Sequence, residues 1–467
     1  MFYRLYKNIK KRYFATAGYK EIFKIAIPLI ISTSAWAFQS LIDRFFLVWY
    51  SKDAYAASLP AGLLNCSLIN IFAGMIAYVD VFVAQYNGKK EYHSIGNSVW
   101  QSFYIAILSA FVLIIFTFFS QDIFNFIGHP ESIACEEVKY FNALCYSSCT
   151  YFALTALSGF YSGRGKTTVI LLVNIVGVLV NIVFDYLLIF GKCGFPELGI
   201  VGAAIGTSIG FFVAFMLLLI PMISKKNNTL YKTRNTKLNV DKIKRLIKFG
   251  LPNGLHMSFD VSVFTLFTLV IGTLGKNELI ASNMVMNIYN IAYMPLLGFG
   301  MTTSIVVGNY LGKNKASIAE IAIKSVMHIT FTYVTILVIA FLVFPDMFIY
   351  PFSKGKDTFI IEQIRPTVLI LFRFIASSAL FEAVSIVFSS AIKGAGDTKF
   401  VMQLVMKLAL FISALMYLIV GILKLGLYPC WSVLTVYCVM LMFFCYKRYK
   451  TGKWKHMRVI KMKIIDT

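Results

Sequence analysis

Residues 224–248, SKKNNTLYKTRNTKLNVDKIKRLIK, carry nine basic side chains and a single acid, Asp241. Hydrophobic runs long enough to cross a bilayer lie on either side of this stretch. The segment therefore divides the chain into two membrane-embedded halves, and is expected to form a cytoplasmic hinge between them.

The composition agrees. Of 467 residues 58% are hydrophobic and only 14% charged, with a mean hydropathy of +0.74, whereas a soluble domain is about a quarter charged. The net charge of +23 does not point to nucleic acid. Its Lys and Arg residues collect in the linker, the two ends and a few short connections, where topology and lipid headgroups place them. The first twenty residues are basic and aromatic with no short apolar core before a cleavage site, so no cleavable signal is expected and the first span doubles as the targeting signal. The eight cysteines are scattered, and Cys145 and Cys149, one turn apart on a helix, are read as packing residues.

Working outward from the linker, apolar runs are expected at 22–49, 54–84, 95–119, 137–161, 168–191 and 199–223 before it. After it they fall at 246–273, 279–309, 318–345, 366–391, 399–423 and 427–446. The fold class is thus an all-α polytopic membrane protein with twelve transmembrane helices. Its expected domains are 1–223, the linker 224–245, 246–446 and a basic tail at 447–467. Arg4, Lys7, Lys10, Lys11, Arg12 and Lys20 place the N-terminus inside. Every second connection is basic, carrying Lys89 and Lys90, Arg164 and Lys166, Lys313 and Lys315, then Lys393 and Lys399. The alternate connections carry acids such as Asp122, Glu136, Glu197 and Asp346; Lys354, Lys356 and Arg365 on the ninth are the exception.

The two halves repeat one another. Phe23-Lys24-Ile25-Ala26-Ile27-Pro28 is similar to Ile247-Lys248-Phe249-Gly250-Leu251-Pro252, 224 positions on. The same offset pairs Ala57-Ser58 with Ala281-Ser282, and Gln85-Tyr86-Asn87-Gly88-Lys89 with Asn309-Tyr310-Leu311-Gly312-Lys313. Gly163-Arg164-Gly165-Lys166-Thr167 matches Gly394-Ala395-Gly396-Asp397-Thr398. Six helices per half is an even number, so both halves share one orientation, as pseudo-symmetric six-helix bundles related about the membrane normal.

An acid inside hydrocarbon is expensive and marks function by default. Asp43 and Asp185 both sit about 25 Å along outward-running helices, at a depth where they can face one another, and Asn181 shares the Asp185 face one turn earlier. Asp260 and Glu382 fall near the midplane, about 15 to 20 Å from the inner face. His256, one turn before Asp260, either relays a proton or packs; His328 has no acid at helical spacing and is read as structural. Gly163-Arg164-Gly165-Lys166-Thr167 lacks the leading Gly and the preceding strand of a phosphate loop, so it is a turn between helices, and no ATPase stretch exists.

Several of these residues carry a family resemblance. Ile42-Asp43-Arg44-Phe45-Phe46, Val83-Ala84-Gln85-Tyr86, Gly250-Leu251-Pro252-Asn253-Gly254-Leu255 and Lys393-Gly394-Ala395-Gly396-Asp397-Thr398 together resemble the multidrug and toxic compound extrusion family, in its NorM-like branch. The resemblance spans the whole chain. It implies a V-shaped pair of six-helix bundles, not an enzyme, exporting cationic amphiphilic compounds in exchange for H⁺ or Na⁺ and using no cofactor beyond the coupling ion. It implies a cation or proton site at Asp43, Asn181, Asp185 and Thr207, the last in Gly202-Ala203-Ala204-Ile205-Gly206-Thr207. Oxygen donors of these types suit a hard cation, and where burial makes the charged carboxyl costly the same site takes a proton. The second acidic site would be Asp260 and Glu382 with His256. Relatives resemble it with Glu on the seventh helix and Asp on the tenth, so the two acids are exchanged here. Na⁺ would bind at Asp43 and Asp185 or at Asp260 and Glu382. The partners expected are small cationic substrates and the lipid bilayer, with no nucleic acid, and the protein is expected to be a monomer of the bacterial inner or plasma membrane with both termini cytoplasmic. The alternative within the superfamily is a flippase for lipid-linked saccharides, whose cleft needs several cations for a pyrophosphate. Arg44 and Arg373 are among the few basic residues inside the spans. A non-transporting scaffold has no reason to keep four intramembrane acids.

Overall fold

The computed structural model describes residues 10–127, 130–353 and 358–461. Lys354 and Lys356 of the ninth connection, Arg4 and Lys7, and the end of the basic tail lie outside the described residues. Among the described residues twelve long helices follow one another. They are α1 (Tyr19–Tyr50), α2 (Lys52–Lys89), α3 (His93–Thr117), α4 (Glu131–Ser162), α5 (Thr167–Phe190) and α6 (Gly199–Met222), then α7 (Val240–Gly272), α8 (Lys276–Gly312), α9 (Ala316–Val343), α10 (Thr358–Ala395), α11 (Thr398–Ile422) and α12 (Leu427–Lys450). Short helices at Ser120–Ile127, Lys225–Tyr231 and Pro345–Ser353 lie between them.

Eleven of the twelve are long and apolar enough to cross a membrane. The remaining one, α4, is 32 residues long but carries Asn142, Ser147, Ser148 and Thr150 among its apolar residues. Packing explains the difference: α4 lies against α2, α3 and α6, so protein rather than lipid surrounds most of it. Its hydroxyls are satisfied within the helix, with Ser148 Oγ donating to Leu144 O at 2.7 Å and Thr150 Oγ1 to Ser147 O at 2.7 Å. Lipid-facing α5 shows the opposite pattern. Leu172, Leu179 and Val183 are exposed while Gly177, Asn181 and Asp185 are buried, an apolar-outside, polar-inside helix of the kind only a bilayer favours.

Helix boundaries differ from the sequence expectation by a few residues, and at one proline. Pro366 was expected to open the tenth span, yet α10 runs through it from Thr358. Pro28, Pro60, Pro252 and Pro295 also lie inside helices. In a bilayer no water competes for the freed carbonyl, and neighbouring helices satisfy it. Lys52–Ala77 and Val79–Lys89 meet at Tyr78, which keeps a helical φ of −62° and ψ of −11°, so α2 is read as one span.

The chain divides into two compact units. One comprises Ile27–Ser258, Gly308–Lys315 and Arg458–Thr467, and holds α2 to α6. The other comprises Met1–Ala26, Phe259–Val307 and Ala316–Met457, and holds α9 to α12. In the α2–α6 unit the core includes Phe82, Phe141, Phe152 and Phe160 and takes in Val459 and Ile460 from the far end of the chain. Val459 N donates to Gln85 Oε1 at 2.9 Å, and Arg245 Nη2 donates to Val459 O. In the α9–α12 unit, α10 lies against both α9 and α12. Phe341 stacks on Phe372 with centroids 5.3 Å apart, and Trp431, edge-on to Phe267, donates its indole N–H to Ser282 Oγ at 3.2 Å. The exposed Arg365, placed by the sequence reading on the ninth connection, lies instead within α10 and is paired with Asp346 at 2.7 Å.

The linker is ordered rather than a loose hinge. One face of α3 carries Asn97, Trp100, Gln101 and Tyr104 at helical spacing, and all four donate to linker carbonyls. Asn97 Nδ2 reaches Lys237 O at 2.8 Å, Trp100 Nε1 reaches Thr233 O at 2.6 Å, Gln101 Nε2 reaches Lys237 O at 3.0 Å, and the Tyr104 hydroxyl reaches Thr236 O at 2.6 Å. Gly96 makes the approach possible, since a Cβ there would sit 2.6 Å from Tyr231 O and 2.7 Å from Lys232 O. The turn at Gly163–Lys166 contributes as well. The Arg164 guanidinium lies 3.6 Å from the Phe160 ring centroid and 4.5 Å from that of Tyr231, gripping the short linker helix by cation–π contact. Burial holds that guanidinium below its ordinary value.

Candidate functional site

Asp43 of α1 and Asp185 of α5 are brought together within the α2–α6 unit, their carboxyl groups in hydrogen-bonding reach of each other. Asp185 and Asn181 are wholly buried. Asn181 is also within reach of Asp185, but neither oxygen of Asp185, nor Oδ1 of Asp43, meets a donor in good hydrogen-bond geometry. Asn181 Nδ2 donates to Thr207 Oγ1 at 3.2 Å, and that hydroxyl donates to Ala203 O at 2.9 Å. The buried Asn181 side-chain oxygen has no donor of its own. All four residues expected from the sequence for this site are thus on one cluster: two carboxyls, an amide and a hydroxyl.

Helix packing produces the cluster. α5 and α6 lie close together along their length, and Gly206 is the residue on α6 against which Asp185 fits. A Cβ at Gly206 would overlap Asp185 Oδ1 and lie 2.9 Å from Asp185 N. Tyr140 of α4 lies within electrostatic reach of both carboxyls. Arg44 lies within electrostatic reach of Asp43 but is itself exposed. Neither Gly206 nor Tyr140 was picked out from the sequence. Gly206 does lie within the Gly202–Thr207 run, whereas Tyr140 carries no signal in a helix rich in aromatic residues.

A second acidic cluster lies within the α9–α12 unit. The Tyr437 hydroxyl donates to Asp260 Oδ1 at 2.8 Å, and the Tyr289 hydroxyl donates to Glu382 Oε2. Asp260 and Glu382 are within electrostatic reach of each other, and Tyr293 is within reach of both. Lys393 acts electrostatically on Asp260. Beside Glu382 a small cavity is lined by Phe264, Met286, Tyr289, Ser378, Leu434 and Cys438. His256, one turn before Asp260 on α7, is buried. His328 contacts the Tyr19 hydroxyl through Nδ1 at 3.0 Å, in keeping with a structural role. The three tyrosines were missed from the sequence because helices apolar all round give no sign of which face an aromatic residue occupies.

The two clusters differ chemically. Each acid of the second has a phenol donor on one oxygen, whereas the Asp43–Asp185 pair faces itself. Two like charges in contact within a low-dielectric bundle call for a proton or a cation between them. Asp43, Asp185, Asn181 and Thr207 supply only oxygen ligands to such an ion, the donor set that a hard monovalent cation prefers. Among the described residues no group of three or more His, Cys, Asp or Glu side chains forms a metal site.

The MatE family model matches residues 28–187 and 252–423, taking in the paired Pro28 and Pro252 and the acids of both clusters. The multidrug resistance protein NorM of Vibrio cholerae is 28% identical over 65% of this chain and 66% of its own length. A probable multidrug resistance protein NorM of Mannheimia succiniciproducens is 25% identical over 82% of each chain. Among solved structures, a MOP superfamily transporter from Pyrococcus furiosus superposes with a TM-score of 0.83 at 18% identity, over 93% of this chain and 96% of that one. A eukaryotic MATE transporter does so with a TM-score of 0.83 at 19% identity, over 94% and 96%. These structures share its all-helical fold, and with the family model matching both halves, the chain is a multi-pass membrane protein that belongs to the MatE family of transporters.

Proposed function

We propose that this protein is a secondary antiporter that exports cationic amphiphilic compounds in exchange for H⁺ or Na⁺. The observation that carries the proposal is the facing Asp43–Asp185 pair, with three carboxyl oxygens lacking donors, inside a bundle otherwise built for lipid. At about 4 Å and an effective dielectric of 20, two unit charges repel by about 4 kcal/mol, so the fully charged empty pair is a high-energy state. A proton or cation relieves it. Binding of the coupling ion thus distinguishes two charge states of one unit, and a conformational equilibrium can couple to that difference only through differential affinity. Asn181 and Thr207 complete the shell, while Asp260 and Glu382, with Tyr437 and Tyr289, form a second negative site able to hold a cationic substrate or a second ion. The names of the NorM relatives, multidrug resistance proteins, support the substrate class.

On this reading 1–223 and 246–446 form the two lobes, joined by the linker at 224–245 and followed by the basic tail at 447–467. The protein acts as a monomer in the bacterial inner or plasma membrane, with linker and termini cytoplasmic and no cofactor besides the coupling ion. The test is uptake of a fluorescent cationic dye into inverted vesicles with proton and sodium gradients imposed separately. Dye accumulation driven by one of the gradients and lost in Asp43→Asn is expected. Accumulation under neither gradient, with folded protein in the vesicles, overturns the proposal.

A further inference from the structure

The linker presents a surface that neither the ion site nor the helix packing uses. From Ser224 to Val240 it holds five basic residues, Lys225, Lys226, Lys232, Arg234 and Lys237, and no acid. All five are exposed, and among the described residues none of them forms an ion pair. Between them stand apolar side chains that a soluble loop would have no reason to expose: Leu230 is 44% exposed, Leu238 64% and Val240 52%. The conformation is fixed by the four donors of α3, which hold the linker carbonyls inward, while the five basic side chains, Leu230, Leu238 and Val240 stay exposed.

The composition of this strip and its place beside the exposed apolar turns of α3 point to what covers it. Tyr104, which holds Thr236, lies eleven residues beyond His93, about 16 Å along the helix. The next turns of α3 expose Ile107, Leu108 and Phe111, the start of a lipid-facing belt. The linker therefore lies on the N-terminal half of α3, whose side chains there are polar donors, directly before the turns that expose apolar side chains. We propose that residues 225–240 form a docking surface for anionic phospholipid headgroups of the adjoining leaflet, with the five cations on the phosphates and Leu230, Leu238 and Val240 in the acyl boundary. Exposed cations interleaved with apolar side chains match an anionic interface in both charge and polarity. A neutral zwitterionic leaflet would satisfy the leucines and leave the cations without a counter-charge.

The test places an environment-sensitive fluorophore on Leu238→Cys in an otherwise Cys-free full-length protein, reconstituted in nanodiscs of phosphatidylcholine alone or mixed with phosphatidylglycerol. Both carry the same fraction of lipid spin-labelled near the headgroup. Quenching is expected to be at least about two-fold stronger in the anionic discs and to fall as salt rises. Replacing Lys225, Lys226, Lys232 and Lys237 by Gln, with Arg234 kept because its Nε donates to Ile223 O at 2.9 Å, removes the difference while leaving elution and thermal unfolding unchanged, since all four are exposed. Inorganic phosphate added to the anionic discs leaves the quenching in place if the headgroup layer is the ligand. Equal quenching in both kinds of disc, a difference that survives in the Gln variant, or displacement by inorganic phosphate each overturns the proposal.

Discussion

At the scale of single residues, Asp185 is tightly constrained, since it is buried, faces a second carboxyl and is packed against a residue that must lack a Cβ. Asp43→Asn and Asp185→Asn are each expected to lower ion-driven transport at least about ten-fold, and the double variant to be little worse than either single one, because the pair acts as a unit. Initial rates in vesicles decide this, and a double variant much worse than both singles would separate the two carboxyls into independent sites. Gly206→Ala tests the packing directly. Its methyl group overlaps Asp185 Oδ1, so it should destabilise by about 1–3 kcal/mol and impair transport without removing any charge, measured by thermal unfolding and uptake together. In the second cluster, Tyr437→Phe and Tyr289→Phe each leave a carboxyl short of its donor, at a cost of about 1–3 kcal/mol, whereas Asp260→Asn and Glu382→Gln impair export while leaving folding intact. Normal dye resistance at normal expression in both amide variants would make that cluster structural.

At the scale of elements, two segments that are not spans are held by specific side chains. The tail buries Val459 and Ile460 in the core of the α2–α6 unit and gives up its Val459 N–H to Gln85. Val459→Asp should therefore cost about 2–5 kcal/mol, the range for losing a buried aliphatic side chain, with the added charge acting in the same direction. A melting temperature unchanged in that variant would show that the tail does not contribute to the fold. The linker depends on Gly96 in the same way. Gly96→Val places side-chain atoms where the linker backbone runs, and faster proteolytic cleavage between residues 232 and 240 in that variant than in the parent is the expected outcome.

At the scale of the whole molecule, the charge distribution fixes a testable topology. If linker, turns and tail share the cytoplasmic side, a cysteine placed in the linker of a Cys-free variant stays unreactive toward an impermeant thiol reagent in intact cells and reacts once they are opened. Labelling in intact cells would overturn the twelve-span orientation. The duplication is visible in how the chain is used, since Pro28 and Pro252 both lie inside helices. The compact units do not follow the repeat boundary: α1, α7 and α8 each pass from one unit to the other, α7 at Ser258–Phe259.

The sequence by itself determined the number of long helices, their order, the duplication and the four acids, because in a bilayer length and hydropathy are the dominant constraint and a buried charge is conspicuous where nearly everything is apolar. Matched depth was enough to pair Asp43 with Asp185, as depth along a helix is a one-dimensional quantity that residue counting supplies. Rotation about the helix axis is not, and it decided the rest. Only tertiary packing placed Tyr140 beside the first pair, the hydroxyls of Tyr289 and Tyr437 on the second, and Gly206 under Asp185, since helices hydrophobic on every face carry no periodic mark of which side faces protein. Only packing, too, showed that the polar linker is pinned, because the donors that hold it lie on α3, more than a hundred residues away in sequence.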